Sequence, residues 1–363
     1  MMKIKKVLID VIRICIIITS VALVGAAAAP YIDPSGFDWP AFFGLMYPYL
    51  LLLHLVLFFC YFLIKKNKLS LLFLIPAVAT INIFLNSFGF NFFKSSTKPS
   101  INTFKLTTYN VHTFKDANDF KSSVRLPIFQ LIEEEQPDIL CMQDFQTYKK
   151  GDSINIAAIK AILKTGHYYN GPKDKKLFPT KSIITFSKYP IVNTGFIILS
   201  EGGGGNQAVF TDINKNGKII RVYNVHFESL GFKPYDYEKW KKGNIFGKFK
   251  FLFKVKDRFS EAFANRSEQV KMVKKHAESC PYPFIIAGDF NDTPASFAVN
   301  YTANGMKNAF REMGKGYTVT FNGGLPDFQI DYVMVNPAFN VLDYNVIRKQ
   351  LSDHYPVVAR LNF

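Results

Sequence analysis

Cysteine is scarce. The four residues, Cys15, Cys60, Cys141 and Cys280, have none of the close paired spacing that a zinc–thiolate site requires. A disulfide scaffold and a thiolate metal centre are therefore set aside, although a Cys141–Cys280 bridge stays open. Negative charge is also short: 28 Asp+Glu stand against 44 Lys+Arg, a formal charge of +16. Such a balance turns the chain toward anions, whether nucleic acid, phospholipid head groups or phosphorylated small molecules, and does not choose among them. Aromatic residues, by contrast, are plentiful, with 37 Phe in 363 residues. The length allows one large domain or two modest ones with a sizeable core.

Charge of either sign is rare in residues 1–93, which hold 7 Lys+Arg and 3 Asp+Glu. Three apolar stretches lie there, about 7–29, 41–64 and 69–93, each over 20 residues and so long enough to cross about 30 Å of hydrocarbon. Pro76, Asn82 and Asn86 interrupt the third, which neighbouring helices can accommodate. His54 stands alone in the second and reads as neutral and helix-packed, with a functional role as the alternative. Lys3, Lys5 and Lys6 precede the first stretch and Lys65, Lys66 and Lys68 separate the second from the third, whereas residues 30–40 hold no Lys or Arg. Positive loops stay cytoplasmic. The expectation is a multi-pass protein of the cell (inner or plasma) membrane with its remaining domain extracytoplasmic. A signal peptide cut near Ala27-Ala28-Ala29 is the rival reading, which Pro30 disfavours and which leaves the sidedness unchanged.

After a linker at 94–101, residues 102–363 read as strands that end in reactive side chains. An alternating run at 104–109 ends at Asn110-Val111-His112, a helical period covers 124–135, and a buried run at 138–142 delivers Gln143-Asp144. A further strand is read at 182–187, and two more at 209–213 and 218–225 form a hairpin about Asn216-Gly217. The last of these ends Tyr223-Asn224-Val225-His226, repeating Tyr109-Asn110-Val111-His112 and suiting a pair of stacked sheets. A helix at 266–279 precedes the strand 284–287, which opens into Gly288-Asp289-Phe290-Asn291-Asp292. Asp331 lies within an apolar strand, and Ser352-Asp353-His354 precedes the last strand, 357–361. One such end is explained by an Asx-capped turn; six are not. Gly202 to Gly205 have no helix signal behind them and read as a loop rather than a phosphate cradle. Residues 228–262 mix lysines with aromatics and read as a basic amphipathic insertion, either packed with a solvated face, resting in a lipid interface, or stacking on nucleic acid.

This ordered set resembles the endonuclease/exonuclease/phosphatase superfamily across roughly residues 102–363. The resemblance implies an α/β (α+β) fold, a four-layer α/β/β/α sandwich, here preceded by three transmembrane helices. It also implies a divalent metal, usually Mg²⁺, with Mn²⁺ as an alternative. By the same resemblance Asp144 is the metal-binding acid, with Asn110 and Asp353 near the metal. Asp289 orients or deprotonates water, Asn291 and His226 contact phosphate, and Asp331 partners His354. The family usually has Glu where this chain has Asp144, which is one methylene shorter. Three spans ahead of such a domain also resemble a membrane-bound branch that includes VanJ-type glycopeptide-resistance proteins, which act on a polyprenyl pyrophosphate carrier.

The chemistry is coherent without the resemblance. Phosphoester hydrolysis needs a Lewis acid, a base for water and cationic donors for developing charge. Mg²⁺ accepts oxygen ligands and keeps several waters, so one or two carboxylates suffice. An imidazole held by a carboxylate, as in His354 with Asp331, is favoured as imidazolium. The expected function is a metal-dependent phosphoesterase acting on a membrane lipid phosphate or another phosphorylated small molecule. The alternatives are a tethered nuclease acting on nucleic acid and a binding or scaffold protein with an impaired site. Membrane lipids are the expected surroundings, and nothing in the sequence calls for a protein partner.

Overall fold

Strands rich in Val, Ile and Phe, buried on both faces, set the architecture of this computed structural model. It describes residues 2–93, 100–116, 123–146, 151–172, 181–199, 206–232, 235, 236, 239, 242–323 and 327–363. The strands in chain order are β1 (Phe88–Phe90), β2 (Phe104–Asn110), β3 (Ile139–Gln146), β4 (His167–Tyr169), β5 (Lys181–Ser187), β6 (Ile191–Ile198) and β7 (Gln207–Lys215). Then follow β8 (Lys218–His226), β9 (Phe284–Asp289), β10 (Lys307–Asn308), β11 (Lys315–Tyr317), β12 (Asp331–Val335), β13 (Asn340–Val346) and β14 (Val357–Asn362). They build two six-stranded sheets, β13-β14-β2-β3-β5-β4 and β10-β12-β9-β8-β7-β6, and a small β1-β11 pair. The hairpin about Asn216-Gly217 is β7 and β8.

Each large sheet contains a parallel pair, β2 with β3 and β8 with β9. A parallel pair needs a crossover, and helices Arg125–Glu135 and Ile245–Glu278 lie in the two connections. The consequence is positional: the carboxyl ends of β2, β3, β8 and β9 are brought to one end of the stacked sheets.

Strand alternation divides the core. Leu106, Cys141, Val222, Ile285, Ala287 and Val333 meet between the sheets. The intervening residues face outward, Ile286 and Val225 toward Val270 and Val273 of the long helix, and Leu140 and Met142 toward Ile128 and Leu131. The result is helix, sheet, sheet, helix, as expected of the sandwich. Both sheets are covered, so their strands read as near-continuous apolar runs.

The membrane expectation needs correction. Among the described residues two helices are long and apolar enough to cross a bilayer, Lys6–Ala28 and Tyr47–Lys65, and the third stretch is a bent pair of helices rather than one continuous helix. The third stretch breaks into a 3₁₀ helix Lys68–Leu74 and short helices Ile75–Ala79 and Ile81–Ser87, with a bend of 53°. Pro76 lacks an N–H and sits in the first turn of its helix, while Thr80 at the break bonds the Ala77 carbonyl. The end of the stretch is β1, paired with β11, so it lies on the sandwich domain. His54 is held by Thr19 Oγ1 at 2.8 Å and the Phe73 carbonyl at 2.7 Å, which ties the apolar segments together and fits its helix-packed reading.

Two more corrections concern the basic insertion and the cysteines. Residues 245–262 are not a separate element: one helix of 34 residues, Ile245–Glu278, includes them and the helix expected at 266–279. The Cys141–Cys280 bridge is not formed, as both thiols are free. Gly202 to Gly205 and most of the linker fall outside the described residues.

The loop after the first span is pinned to the long helix. Asp33 accepts from Ser267 at 2.6 Å and pairs with Lys271. Burial pushes the Asp33 carboxyl up, but these partners outweigh it and hold it well below the usual carboxylate range. A depressed folded pKa contributes stability above the unfolded value, 3.8, that is lost as pH falls through the folded one. The pair is largely solvated, so about 1 kcal/mol or less is expected. Thermal melts of the wild type and Asp33→Asn should differ slightly at pH 6 and converge as pH falls below about 4.

Candidate active site

The polar end of the inter-sheet core is built in two layers. The deeper one is a buried amide network: Gln143 donates to Thr108 Oγ1 at 2.9 Å and to Asn224 Oδ1 at 2.7 Å, and Asn224 donates to the Ile184 carbonyl at 3.0 Å. Each residue continues an inward-facing parity, 108 after 106, 143 after 141 and 224 after 222. This layer closes the apolar core beneath the outer one, whose residues are those singled out in sequence.

Asp289 is the hub of that outer layer. It is buried, and its Oδ2 accepts from Asn110 Nδ2 at 2.9 Å while its Oδ1 accepts from the Asn291 backbone N–H at 2.8 Å. His226 Nε2 and His354 Nε2 each stand 3.6 Å from Oδ2. His226 Nδ1 is 3.4 Å from Asp144 Oδ1, and His354 Nδ1 is 2.9 Å from Asp331 Oδ2. Asp353 Oδ1 lies 3.4 Å from His112 Nδ1. Of the eight expected residues, Asn110, Asp144, His226, Asp289, Asn291, Asp353 and His354 line one cavity of ≈ 220 Å³. Asp331 lies behind it as the partner of His354. Burial alone would push His354 down, but the Asp331 and Asp289 carboxylates outweigh it and hold the imidazole well above its usual pKa.

Local backbone explains the aim of two side chains and the need for one glycine. The β3–β5 register shifts between Met142 and Phe145, and Asp144 in that bulge has φ +49°, which turns its side chain out of strand alternation. Asn291 has φ +53°, a left-handed conformation that Asn tolerates well, and its side-chain amide donates to the Phe227 carbonyl at 3.0 Å. Gly288 has φ +149°, and a Cβ there would sit 2.0 Å from the Val225 carbonyl oxygen. Gly288→Ala should therefore destabilise the protein by more than about 2 kcal/mol through strain and separation of β8 from β9, readable as a lower melting temperature.

Sequence reasoning gave no role to His112, Asp292 and Arg266. His112 was present in the repeated motif, but β2 stops at Asn110 whereas β8 runs on to His226, so Asn110 lies at the cavity while its equivalent Asn224 lies in the deeper amide network. Leu45 and Met46, from the segment between the two long apolar helices, also line the cavity. No local signal marks them, because their contact with the site is long-range.

Residues 107–354 match the Endonuclease/Exonuclease/phosphatase family. The chain belongs to that family. Residues 7–87 match a Domain of unknown function (DUF8431), and no curated protein sequence matches significantly. Among solved structures the chain is similar to an endonuclease/exonuclease/phosphatase from Beutenbergia cavernae DSM 12333, at 20% identity over 72% of each chain with a TM-score of 0.54. It is also similar to an endonuclease/exonuclease/phosphatase from Bacteroides vulgatus, at 19% identity over 72% of this chain and 99% of that one, TM-score 0.52. A third is D. rerio TDP2 complexed with single strand DNA product, at 14% identity over 72% and 99%, TM-score 0.51. These likenesses establish the shared fold.

Members of this family generally use a divalent metal, and the donor set fits one. Asp144, Asp289 and Asp353 with the Asn110 carboxamide present hard oxygen ligands to one cavity, as Mg²⁺ or Mn²⁺ requires. Asp289, Asp331 and His354 offer a second grouping, with ligand atoms within 4.8 Å of one another. There the 2.9 Å hydrogen bond between His354 Nδ1 and Asp331 Oδ2 already engages two of the groups with each other.

Proposed function

We propose that the protein is a membrane-anchored, Mg²⁺-dependent phosphoesterase that hydrolyses a phosphate ester or anhydride of a membrane lipid. The observation that carries this reading is the two-ended cavity. One end is the carboxylate and imidazole cluster; the other is an apolar wall of Leu230, Phe232, Phe259, Phe321 and Phe328 with Leu45 and Met46. A phosphate head fits the first and a hydrocarbon chain the second. Leu45 and Met46 directly precede the helix Tyr47–Lys65, so the apolar end opens where a bilayer would meet the domain.

Asp144, with Asn110 and Asp353, would hold the metal, which supplies neutralisation of non-bridging phosphate oxygens when bound. Asp289 takes the proton of the attacking water, its carboxylate oriented by Asn110 and the Asn291 N–H. His354, held as imidazolium and oriented by Asp331, opposes the charge that builds on the phosphoryl oxygens, and His226 contacts the phosphate. Asn291 adds a polar contact to the phosphate end. On this reading the bent third stretch completes a third crossing, and the lysines flanking the long apolar helices argue for a catalytic domain outside the cytoplasm; a reporter fused after Phe363 and active only in the cytoplasm would overturn that sidedness.

The test uses the full chain in lipid nanodiscs containing a long-chain lipid phosphate. Phosphate release should require Mg²⁺, stop with chelator and return when Mg²⁺ is restored. Met46→Glu should lower kcat/KM for the long-chain substrate about tenfold, the equivalent of one lost apolar side-chain contact, and leave a soluble aryl phosphate unaffected. Nicking of plasmid with lipids untouched would instead favour the nuclease reading, and turnover of neither would favour a binding protein.

A further inference from the structure

The amino-terminal half of the long helix carries two faces. Phe251, Val255, Phe259 and Phe263 follow one another at i+4 and are buried, packed with Leu45 and Ile330. On the opposite side Phe246 and Phe253 are 79% and 75% exposed, with Lys250 and Lys254 exposed between and beside them. Phe246, Lys250, Phe253 and Lys254 fall at i, i+4, i+7 and i+8, one helical stripe. Residues 242–258 hold six Lys+Arg and a single acid, Asp257. An aromatic and cationic stripe with little acid is a poor solvated face and a good match to anionic lipid.

Its place in the fold says what covers it. The Lys256 ammonium lies 5.0 Å from the ring centroid of Trp39, the first residue of helix Trp39–Leu45. That short helix connects the far end of Lys6–Ala28 to the start of Tyr47–Lys65. Around the same two ends Tyr31, Phe37, Trp39 and Tyr49 are exposed aromatics, as in the aromatic belt of a membrane–water interface. Phe42 stacks on Phe259 at 6.4 Å and meets Phe263 edge-on at 5.2 Å, so the long helix is fixed at the level of that belt.

We propose that residues 245–258 form an interfacial helix lying in the head-group layer of the leaflet that faces the catalytic domain. Phe246 and Phe253 enter the acyl boundary while Lys250 and Lys254 meet anionic lipid. The helix thereby holds the apolar mouth of the cavity against the bilayer and concentrates anionic lipid beside it. This rests on the membrane-anchored reading, and the test separates the two. Single tryptophans are placed in a W39F/W240F background in nanodiscs, and quenching by brominated-chain lipid and by aqueous iodide is measured.

F59W, at an exposed position of helix Tyr47–Lys65, reports the anchor. K218W, at the opposite end of β8 from His226, reports bulk water. F253W should be quenched by brominated lipid at least half as strongly as F59W and be shielded from iodide relative to K218W. Iodide quenching of F253W equal to that of K218W overturns the proposal, as does protection from both quenchers, which would mean that protein covers the face. Absence of lipid quenching in F59W would instead overturn the anchor itself. A second readout is the variant K250Q/K254Q. In nanodiscs with anionic lipid it should lose about threefold in lipid-phosphate turnover at low salt, about 1 ΔG step of 0.65 kcal/mol, with soluble-substrate turnover unchanged. An equal loss on both substrates contradicts the docking role.

Discussion

Asp289→Asn should lower turnover by about 10³-fold, within the range that a positioned general base contributes, while leaving the fold intact. The substitution keeps the carboxamide oxygen as an acceptor for one of its two donors, the Asn110 amide at 2.9 Å or the Asn291 N–H at 2.8 Å, and loses the other bond. It also removes a buried negative charge that opposes ionisation of Asp331 but favours the His354 imidazolium, so the two effects offset and the melting temperature should change little. Retained stability with lost activity is the signature of a group that acts in chemistry rather than in packing. Undiminished activity would refute the role given to Asp289.

Arg266→Met should cost about 3–5 kcal/mol, the usual consequence of breaking a buried ion pair. Arg266 is 0% exposed. Its Nε donates to Asp292 Oδ2 at 2.9 Å and its Nη1 to the Glu228 carbonyl at 2.7 Å. One side chain thus ties the helix to the segments that follow His226 and Asp289. Burial already pushes the Asp292 carboxyl above its ordinary value, with Arg266 opposing that rise. Without the guanidinium it rises further. A carboxyl whose folded pKa is raised favours the fold when protonated, so the deficit of the variant should be greatest near neutral pH. It should shrink as pH falls through the folded value toward the unfolded one. Melting curves of both proteins from pH 7 to pH 4 would show this, and a constant difference would place the loss in packing alone.

The strand ends were legible because alternation and burial leave little choice. A strand whose inward residues are Ile285 and Ala287 must turn Asp289 to the same side, and the same parity carries Asn110 and His226 to the site. Asp144 was legible in position but not in aim, since a bulge with φ +49° has no sequence signature of its own. The third apolar stretch misled because Pro76, Asn82 and Asn86 read as interruptions that neighbouring helices accommodate, whereas the chain bends by 53° at Thr80, which has no such signal. The helix Ile245–Glu278 was read in two pieces, a helix at 266–279 and a basic insertion before it, because the aromatics and lysines of 245–262 drew attention as a patch while the buried i+4 stripe Phe251, Val255, Phe259 and Phe263 runs continuously through them. Leu45 and Met46 show the limit most clearly, as their role exists only through contact with residues about two hundred positions away.

The most direct test is phosphate release from a long-chain lipid phosphate in nanodiscs, measured for the wild type and Asp289→Asn with Mg²⁺ and with chelator. The account predicts turnover only in the wild type with Mg²⁺. It is contradicted if the lipid phosphate is not hydrolysed under any of these conditions, or if Asp289→Asn releases phosphate at the wild-type rate.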